Sequence, residues 1–172
     1  MIEEYVKKYP LSYKGWAFYG VVLLEEEHDS IAEMAFNKAL EINPRIKQAL
    51  TGLGVINRRK GNYLEAEGLY KKALEIDPEF PEAYSSLMII ELIRKDFHQA
   101  VTVGQKAWNL DAKSGVIAAN LSIAYHFEGN FESRDKFFNH AKQLGYDELD
   151  ALERVYEGKI TLKELLGIKP EQ

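Results

Sequence analysis

The heptapeptide KALEINP at residues 38–44 is followed by a near copy, KALEIDP, at residues 72–78. Two weaker copies follow at the same interval, KAWNLDA at residues 106–112 and HAKQLGY at residues 140–146. A period of about 34 residues is typical of proteins built from stacked structural repeats, because no single unit can bury its apolar side alone. The chain is therefore predicted to be an array of such repeats.

A turn signal lies midway between these copies, as GNY at residues 61–63, KDF at residues 95–97 and GNF at residues 129–131. Gly, Asn and Asp favour the end of one helix and the start of the next. Each unit is therefore predicted to be a helix, a short turn and a second helix. Capping boxes are predicted at three of the second helices, formed by Ser30 with Glu33, Asn62 with Glu65 and Asp96 with Gln99.

Composition and charge exclude several classes of function. The net charge of −5 argues against nucleic acid and against an anionic membrane surface, because both are bound by an excess of Lys and Arg. A chain without cysteine forms no disulfide, thiolate metal site or cysteine nucleophile. The first residues show no secretory signal, and apolar stretches such as residues 87–90 are too short to span a membrane. We expect a cytoplasmic protein without membrane insertion.

Motifs that carry chemistry are not found in the sequence. Residues 52–57, GLGVIN, begin like a dinucleotide-binding fingerprint, but the third glycine is missing and no strand precedes them. The four histidines lack the spacing of metal ligands, and no nucleophile motif is present. The carboxylates are scattered over helix faces. We predict that the protein is not an enzyme and that it holds no cofactor and no metal.

Residues between the copies also recur at fixed positions, and this pattern resembles the tetratricopeptide repeat (TPR). The first unit carries Trp16, Tyr19, Gly20, Leu23, Ala32, Phe36, Ala39 and Pro44 at the signature spacing. The second carries Leu50, Leu53, Gly54, Ala66, Tyr70, Ala73 and Pro78. The third keeps Tyr84, Leu87, Ala100 and Ala107, and the fourth keeps Ala118, Leu121, Tyr125, Phe138 and Ala141.

The resemblance implies an all-α fold, a right-handed solenoid of antiparallel helix pairs with about four 34-residue repeats and helical caps at both ends. Its parts are expected to form one domain, and terminal helices are expected to shield the ends of the array. The predicted parts are a half-repeat helix at 1–10, repeats at 13–46, 47–80, 81–114 and 115–148, of which the last is degenerate, and capping helices at 149–172.

Some positions depart from the repeat pattern, and two of them carry structural expectations. Arg134 stands where the other units have Ala, so its stem must lie along apolar surface while its head reaches water or an acid. Glu91 replaces a large apolar residue, and a carboxylate removed from water needs a positive or donor partner. We expect Arg58, Arg94 or a water beside it. Gly104 takes the place of an aromatic residue.

The first helices of the units are apolar on two sides when residues are placed at helical intervals. One side packs within the stack of repeats, and the resemblance implies that the other side lines a concave groove. A row of Val21, Val55, Ile89 and Ile123 is then expected to form an exposed apolar strip, which usually marks an interaction site. The candidate residues for binding a partner in this groove are Phe18, Val21, Leu24, Val55, Arg58, Arg59, Ile89, Leu92, Ile93, Asn120, Ile123, His126 and Phe127.

Two alternatives stay open for this groove. The row is either free for a partner or covered by the N-terminal helix or the C-terminal cap. Arg58 and Arg59 either receive a carboxylate of the partner or pair with neighbouring acids, Glu25 or Glu91. The favoured function is an adaptor that binds a partner protein, as an amphipathic helix or an extended apolar peptide. The alternative is a structural unit that self-associates through its terminal helices, or a fragment of a longer TPR protein.

Overall fold

The computed structural model describes residues 2–168, and this part of the chain contains eleven α-helices and no strand. The all-α fold class is therefore confirmed. The helices are α1 (Ile2–Lys8), α2 (Tyr13–Glu25), α3 (Asp29–Ile42), α4 (Lys47–Arg59), α5 (Tyr63–Ile76), α6 (Pro81–Arg94), α7 (Phe97–Leu110), α8 (Gly115–Glu128), α9 (Phe131–Gln143), α10 (Leu149–Tyr156) and α11 (Leu162–Leu165).

Consecutive helices form packed pairs, α2 with α3, α4 with α5, α6 with α7 and α8 with α9. Turns of two or three residues join the helices of each pair, so the two helices run antiparallel. The described chain divides into two compact units, residues 2–79 with α1 to α5 and residues 80–168 with α6 to α11. Helix α1 packs on α2 at the start of the first unit, and α10 packs on α8 and α9 in the second.

In the first unit, the fully buried ring of Phe36 on α3 lies directly against the backbones of α2 and α4. A Cβ atom at Gly20 would come within 2.6 Å of this ring, and one at Gly52 within 2.3 Å. The ring of Tyr70 leaves the same narrow space at Gly54, where a Cβ would come within 2.3 Å. Glycine at these positions therefore lets a first helix approach the aromatic ring of a second helix closely.

In the second unit the large and the small residue of this contact have exchanged helices. Gly104 lies one repeat period after Tyr70, and Met88 lies one period after Gly54. A Cβ at Gly104 would come within 2.4 Å of the Met88 sulfur and within 2.7 Å of a Leu121 methyl group. The small residue is now on the second helix and the large one on the first. The loss of the aromatic residue at position 104 is thus compensated by the side chains that face it.

The predicted capping boxes are only partly present. Asp96 accepts a hydrogen bond from the backbone N–H of Gln99 at 3.1 Å, as a helix cap should. Asn62 makes no such bond, because its side-chain amide donates to Asn57 Oδ1 at 3.3 Å instead. The prediction of a capping box at Ser30 is wrong, since α3 already begins at Asp29 and Ser30 lies inside the helix.

Arg134 meets the expectation for a large cation at a small-residue position. Its Nε donates to Asp135 Oδ1 at 2.7 Å, and its guanidinium lies 5.0 Å from the ring centre of Phe131 and 5.2 Å from that of Tyr156. The aromatic rings and the carboxylate together stabilise the Arg134 guanidinium at this position.

Glu91 has one of the partners expected for it. Its side chain is 14% exposed, and the Arg94 guanidinium lies 3.3 Å from its carboxylate. Arg94 itself is 36% exposed, so the cost of desolvation falls mainly on the Glu91 carboxylate and offsets part of the attraction.

We predict that Gly52→Ala lowers the free energy of unfolding by about 1–3 kcal/mol, because the new methyl group must displace the Phe36 ring. Gly68→Ala is the matched control, since a Cβ at Gly68 meets no atom within 4 Å. This second change should raise the free energy of unfolding by about 0.5–1 kcal/mol through helix propensity. Urea unfolding followed by circular dichroism measures both; equal effects of the two changes would contradict the close contact.

We also predict that Glu91→Leu leaves the free energy of unfolding unchanged or raises it, because an apolar side chain replaces a largely buried carboxylate while Arg94, 36% exposed, keeps access to water. Thermal and urea unfolding of the variant beside the wild type measures the difference. A loss of several kcal/mol would mean that the surroundings of Glu91 require its charge.

Candidate functional site

Phe18 lies on the opposite side of α2 from Gly20, the residue that meets the Phe36 ring. Phe18 is 59% exposed, which is unusual for a phenylalanine in a helix that packs on three neighbours. Val21, Leu24 and Val55 are half-buried. Apolar surface is therefore accessible on this side of the unit.

An open cleft of about 400 Å³ lies beside Phe18 and Val21. Only these two of its residues were predicted from the sequence. Lys14 precedes Phe18 by one helical turn, a spacing that the sequence analysis could have used. Ile46 and Gln48 reach the cleft from the start of α4, and no periodicity within α2 signals their presence. The cleft is lined by Tyr13, Lys14, Ala17, Phe18, Val21, Ile46 and Gln48.

The two arginines at the end of α4 differ in their surroundings. Arg59 pairs with Asp29 at 2.5 Å, and not with Glu25 or Glu91. Arg58, three residues after Val55, is half-buried and has no ion pair within residues 2–168. A cation without an internal counter-charge thus lies next to the apolar side chains of α4, and Lys14 contributes another to the cleft.

The second unit exposes less of the predicted row. Ile89, Ile93 and Asn120 are half-buried, whereas Leu92 is fully buried and Ile123 is only 2% exposed. The expectation of an exposed strip is therefore wrong for Ile123, and the candidate residue Leu92 is not accessible to a partner.

The packing of the second unit explains this burial. Helix α6 packs against both α7 and α8, so that more than one of its sides is covered. Helix α10 packs on α8, where the hydroxyl groups of Tyr156 and Ser122 are 2.5 Å apart. The C-terminal segment thus covers part of α8, as the covered-groove alternative described.

His126 and Phe127 belong to an aromatic cluster at the end of α8. The His126 ring lies 5.0 Å from Phe127 and 4.8 Å from Tyr156, and Phe127 stacks on Phe97 at 5.2 Å. His126 Nδ1 is buried without a hydrogen-bond partner among the described residues. Burial lowers the pKa of His126, and the nearby Arg134 guanidinium lowers this pKa further.

Burial has the corresponding effect on the neighbouring hydroxyl group. It raises the pKa of Tyr156 to about 12 and outweighs the opposing effect of the hydrogen bond between Tyr156 and Ser122. Tyr156 is therefore neutral over the physiological range, and its contact with His126 involves no tyrosinate.

Sequence comparison identifies one of the repeats directly. The family pattern described as the tetratricopeptide repeat matches residues 48–80, which include α4 and α5. No curated protein matches the chain. Among residues 2–168, no helix has both the length and the apolar character that crossing a membrane requires.

Solved structures of several TPR proteins share the fold. The protein pilF of Pseudomonas aeruginosa is 18% identical with a TM-score of 0.70, over 96% of this chain and 77% of that one. A thermophilic TPR protein of Thermus thermophilus is 20% identical with a TM-score of 0.75, over 91% and 88% of the two chains. An O-GlcNAc transferase of Thermobaculum terrenum is 20% identical with a TM-score of 0.68, over 76% of this chain but only 26% of the transferase. At these identities the likeness concerns the fold alone.

The environment of His126 predicts a pH-dependent stability. A histidine with a lowered pKa in the folded state takes up a proton more readily when the chain unfolds. Its contribution is complete above the ordinary pKa of 6.5 and is lost as the pH falls from there toward the folded pKa. We expect the urea midpoint to fall from neutral to mildly acidic pH, and to fall less in His126→Phe. An equal fall in wild type and variant would contradict the role of His126.

Proposed function

We propose that this chain, in which residues 48–80 match the tetratricopeptide repeat, is an adaptor that binds an apolar segment of a partner protein on the surface around Phe18 and Val21 of α2 and Val55 of α4. The observation that carries the proposal is the 59% exposure of Phe18 beside an open cleft with a mainly apolar lining. Exposed aromatic residues contribute disproportionately to protein interfaces. The packing contacts of α2 with Phe36 do not use this side chain.

The chemistry of the surface indicates what the segment contains. Phe18 and Val21 offer an apolar contact in the cleft, and Val55 extends the accessible apolar surface along α4. Lys14 and Arg58 place positive charge at the edge of this surface. An amphipathic helix or an extended peptide with large apolar residues and a flanking carboxylate fits these features.

A second candidate function is association through the N-terminal end. Tyr5 on α1 and Tyr9 directly after it are 44% and 47% exposed, their rings are 4.9 Å apart, and Leu11 beyond them is 80% exposed. By the repeat period, α1 corresponds to the second helix of a repeat. A further helix pair, from another copy of the chain, fits such an end. Sedimentation velocity at rising concentration tests this candidate, and Tyr9→Asp should abolish any dimer.

A peptide selection tests the proposed adaptor function. Random peptides displayed on phage are selected on the purified wild-type chain, and the enriched peptides are measured by fluorescence polarisation. We expect enriched sequences with large apolar residues at helical or alternating spacing and an acidic neighbour. Phe18→Asp should weaken their binding by about tenfold or more, because an unpaired charge replaces an apolar contact. Met34→Asp, on an equally exposed apolar residue of α3, is the matched control and should leave binding unchanged.

The stability of Val55→Asp separates an open surface from a covered one. If the surface around Val55 is free, the variant should lose binding and retain nearly the melting temperature of the wild type. If this surface is covered, the variant should be less stable by about 1–3 kcal/mol, because Asp would then be buried without a partner. Joint loss of stability and binding, or unchanged binding in Phe18→Asp, would refute the proposal.

A further inference from the structure

The second unit contains a cleft of about 660 Å³ that no repeat position predicts. Three parts of the unit form its walls: the turn between α6 and α7, the end of α8, and the C-terminal segment from α10 to α11. It is lined by Lys95, Phe97, His126, Phe127, Val155, Tyr156, Gly158, Ile160, Thr161, Leu162 and Lys163.

Aromatic rings form a large part of these walls. Phe97 and Phe127 are stacked with an angle of 22° between their planes, and His126 stands almost perpendicular to Phe127 at 87°. Tyr156 closes the group on the side of α10. Such a set of ring faces and edges favours a planar aromatic side chain as the ligand group, through stacked and edge contacts.

The charge of the lining is the opposite of the charge of the whole protein. The chain has a net charge of −5, yet within residues 2–168 the only charged side chains in the lining are Lys95 and Lys163. Neither lysine has an ion pair among the described residues.

Four acidic residues next to the lining in the sequence are held by other groups rather than by the two lysines. The pairs are Asp96 with the Gln99 N–H at 3.1 Å, Glu128 with His98 at 3.0 Å, Glu157 with Lys159 at 2.6 Å, and Glu164 with the Thr161 N–H at 2.7 Å.

We propose that this cleft is a second binding site, which takes a peptide segment with an aromatic side chain next to a carboxylate. The aromatic side chain enters between Phe97, Phe127 and Tyr156. The carboxylate lies near Lys95 and Lys163, whose charges complement it. The site is formed by other helices than the Phe18 cleft and does not depend on the function proposed for that surface.

Three blocked dipeptides test the charge preference: acetyl-Asp-Phe-amide, its neutral isostere acetyl-Asn-Phe-amide, and acetyl-Lys-Phe-amide. Each is titrated to millimolar concentration into the ¹⁵N-labelled full chain. We expect amide shifts at Phe97, Phe127 and Gly158. The Asp dipeptide should bind about two- to fivefold more tightly than the Asn dipeptide, as expected for exposed ion pairs with one or two lysines. This preference should decrease with added salt.

A charge-reversal variant makes the test specific. In Lys95→Glu with Lys163→Glu, the order of affinities should invert, with the Lys dipeptide bound most tightly. Lys113→Glu with Lys142→Glu changes the net charge equally, but neither residue lines the cleft or lies next to a lining residue in the sequence. This control should keep the wild-type order.

Several results would overturn the proposal. These are equal binding of the Asp and Asn dipeptides, an unchanged order in the Lys95 and Lys163 variant, and the absence of shifts at the lining amides. Tighter binding of octanoate than of the Asp dipeptide at the same amides would assign the cleft to fatty acids rather than to peptides. Because the readout is confined to amides of the second unit, failure here is distinct from failure of the Phe18 surface.

Discussion

The ring of Phe36 touches the backbones of α2 and α4 at once, and glycine at positions 20 and 52 makes this contact sterically possible. Helices that approach so closely exclude water from a buried ring and gain dispersion contacts along the backbone. Tyr70 with Gly54 repeats this arrangement, and Met88 with Gly104 reverses it. In both units a large side chain faces a glycine on the paired helix, with the glycine on the first helix in one unit and on the second helix in the other.

Close packing on one side of a first helix has a consequence for function. The side of α2 that meets Phe36 is fixed by sterics, and the side with Phe18 is free to vary. In the second unit the C-terminal segment covers part of α8 and, in doing so, forms another cleft between Tyr156 and the end of that helix. A terminal helix thus both hides one surface and creates a new one.

The sequence predicted the helix pairs well, because a regular repeat period and turn signals such as Gly129 can be read directly from the order of residues. Arg94, which lies beside Glu91, is one of the three partners that the sequence led us to expect there. It missed the exchange of Met88 and Gly104, because the compensation joins side chains on different helices. The burial of Ile123 was missed for a similar reason, since a helical wheel shows which way a residue points but not what packs there. The residues that line the Phe18 cleft were predicted only in part, because Ile46 reaches the cleft from the start of α4 rather than from α2.

The measurement that tests this account most directly is a double-mutant cycle on Met88→Gly and Gly104→Phe, which together restore the arrangement seen at Gly54 and Tyr70. Each single change should lower the free energy of unfolding, the first by leaving a cavity and the second by overpacking. The double variant should lose less than the sum, with a favourable coupling of about 1–3 kcal/mol. Losses that add within about 0.5 kcal/mol would contradict size complementarity as the basis of the packing.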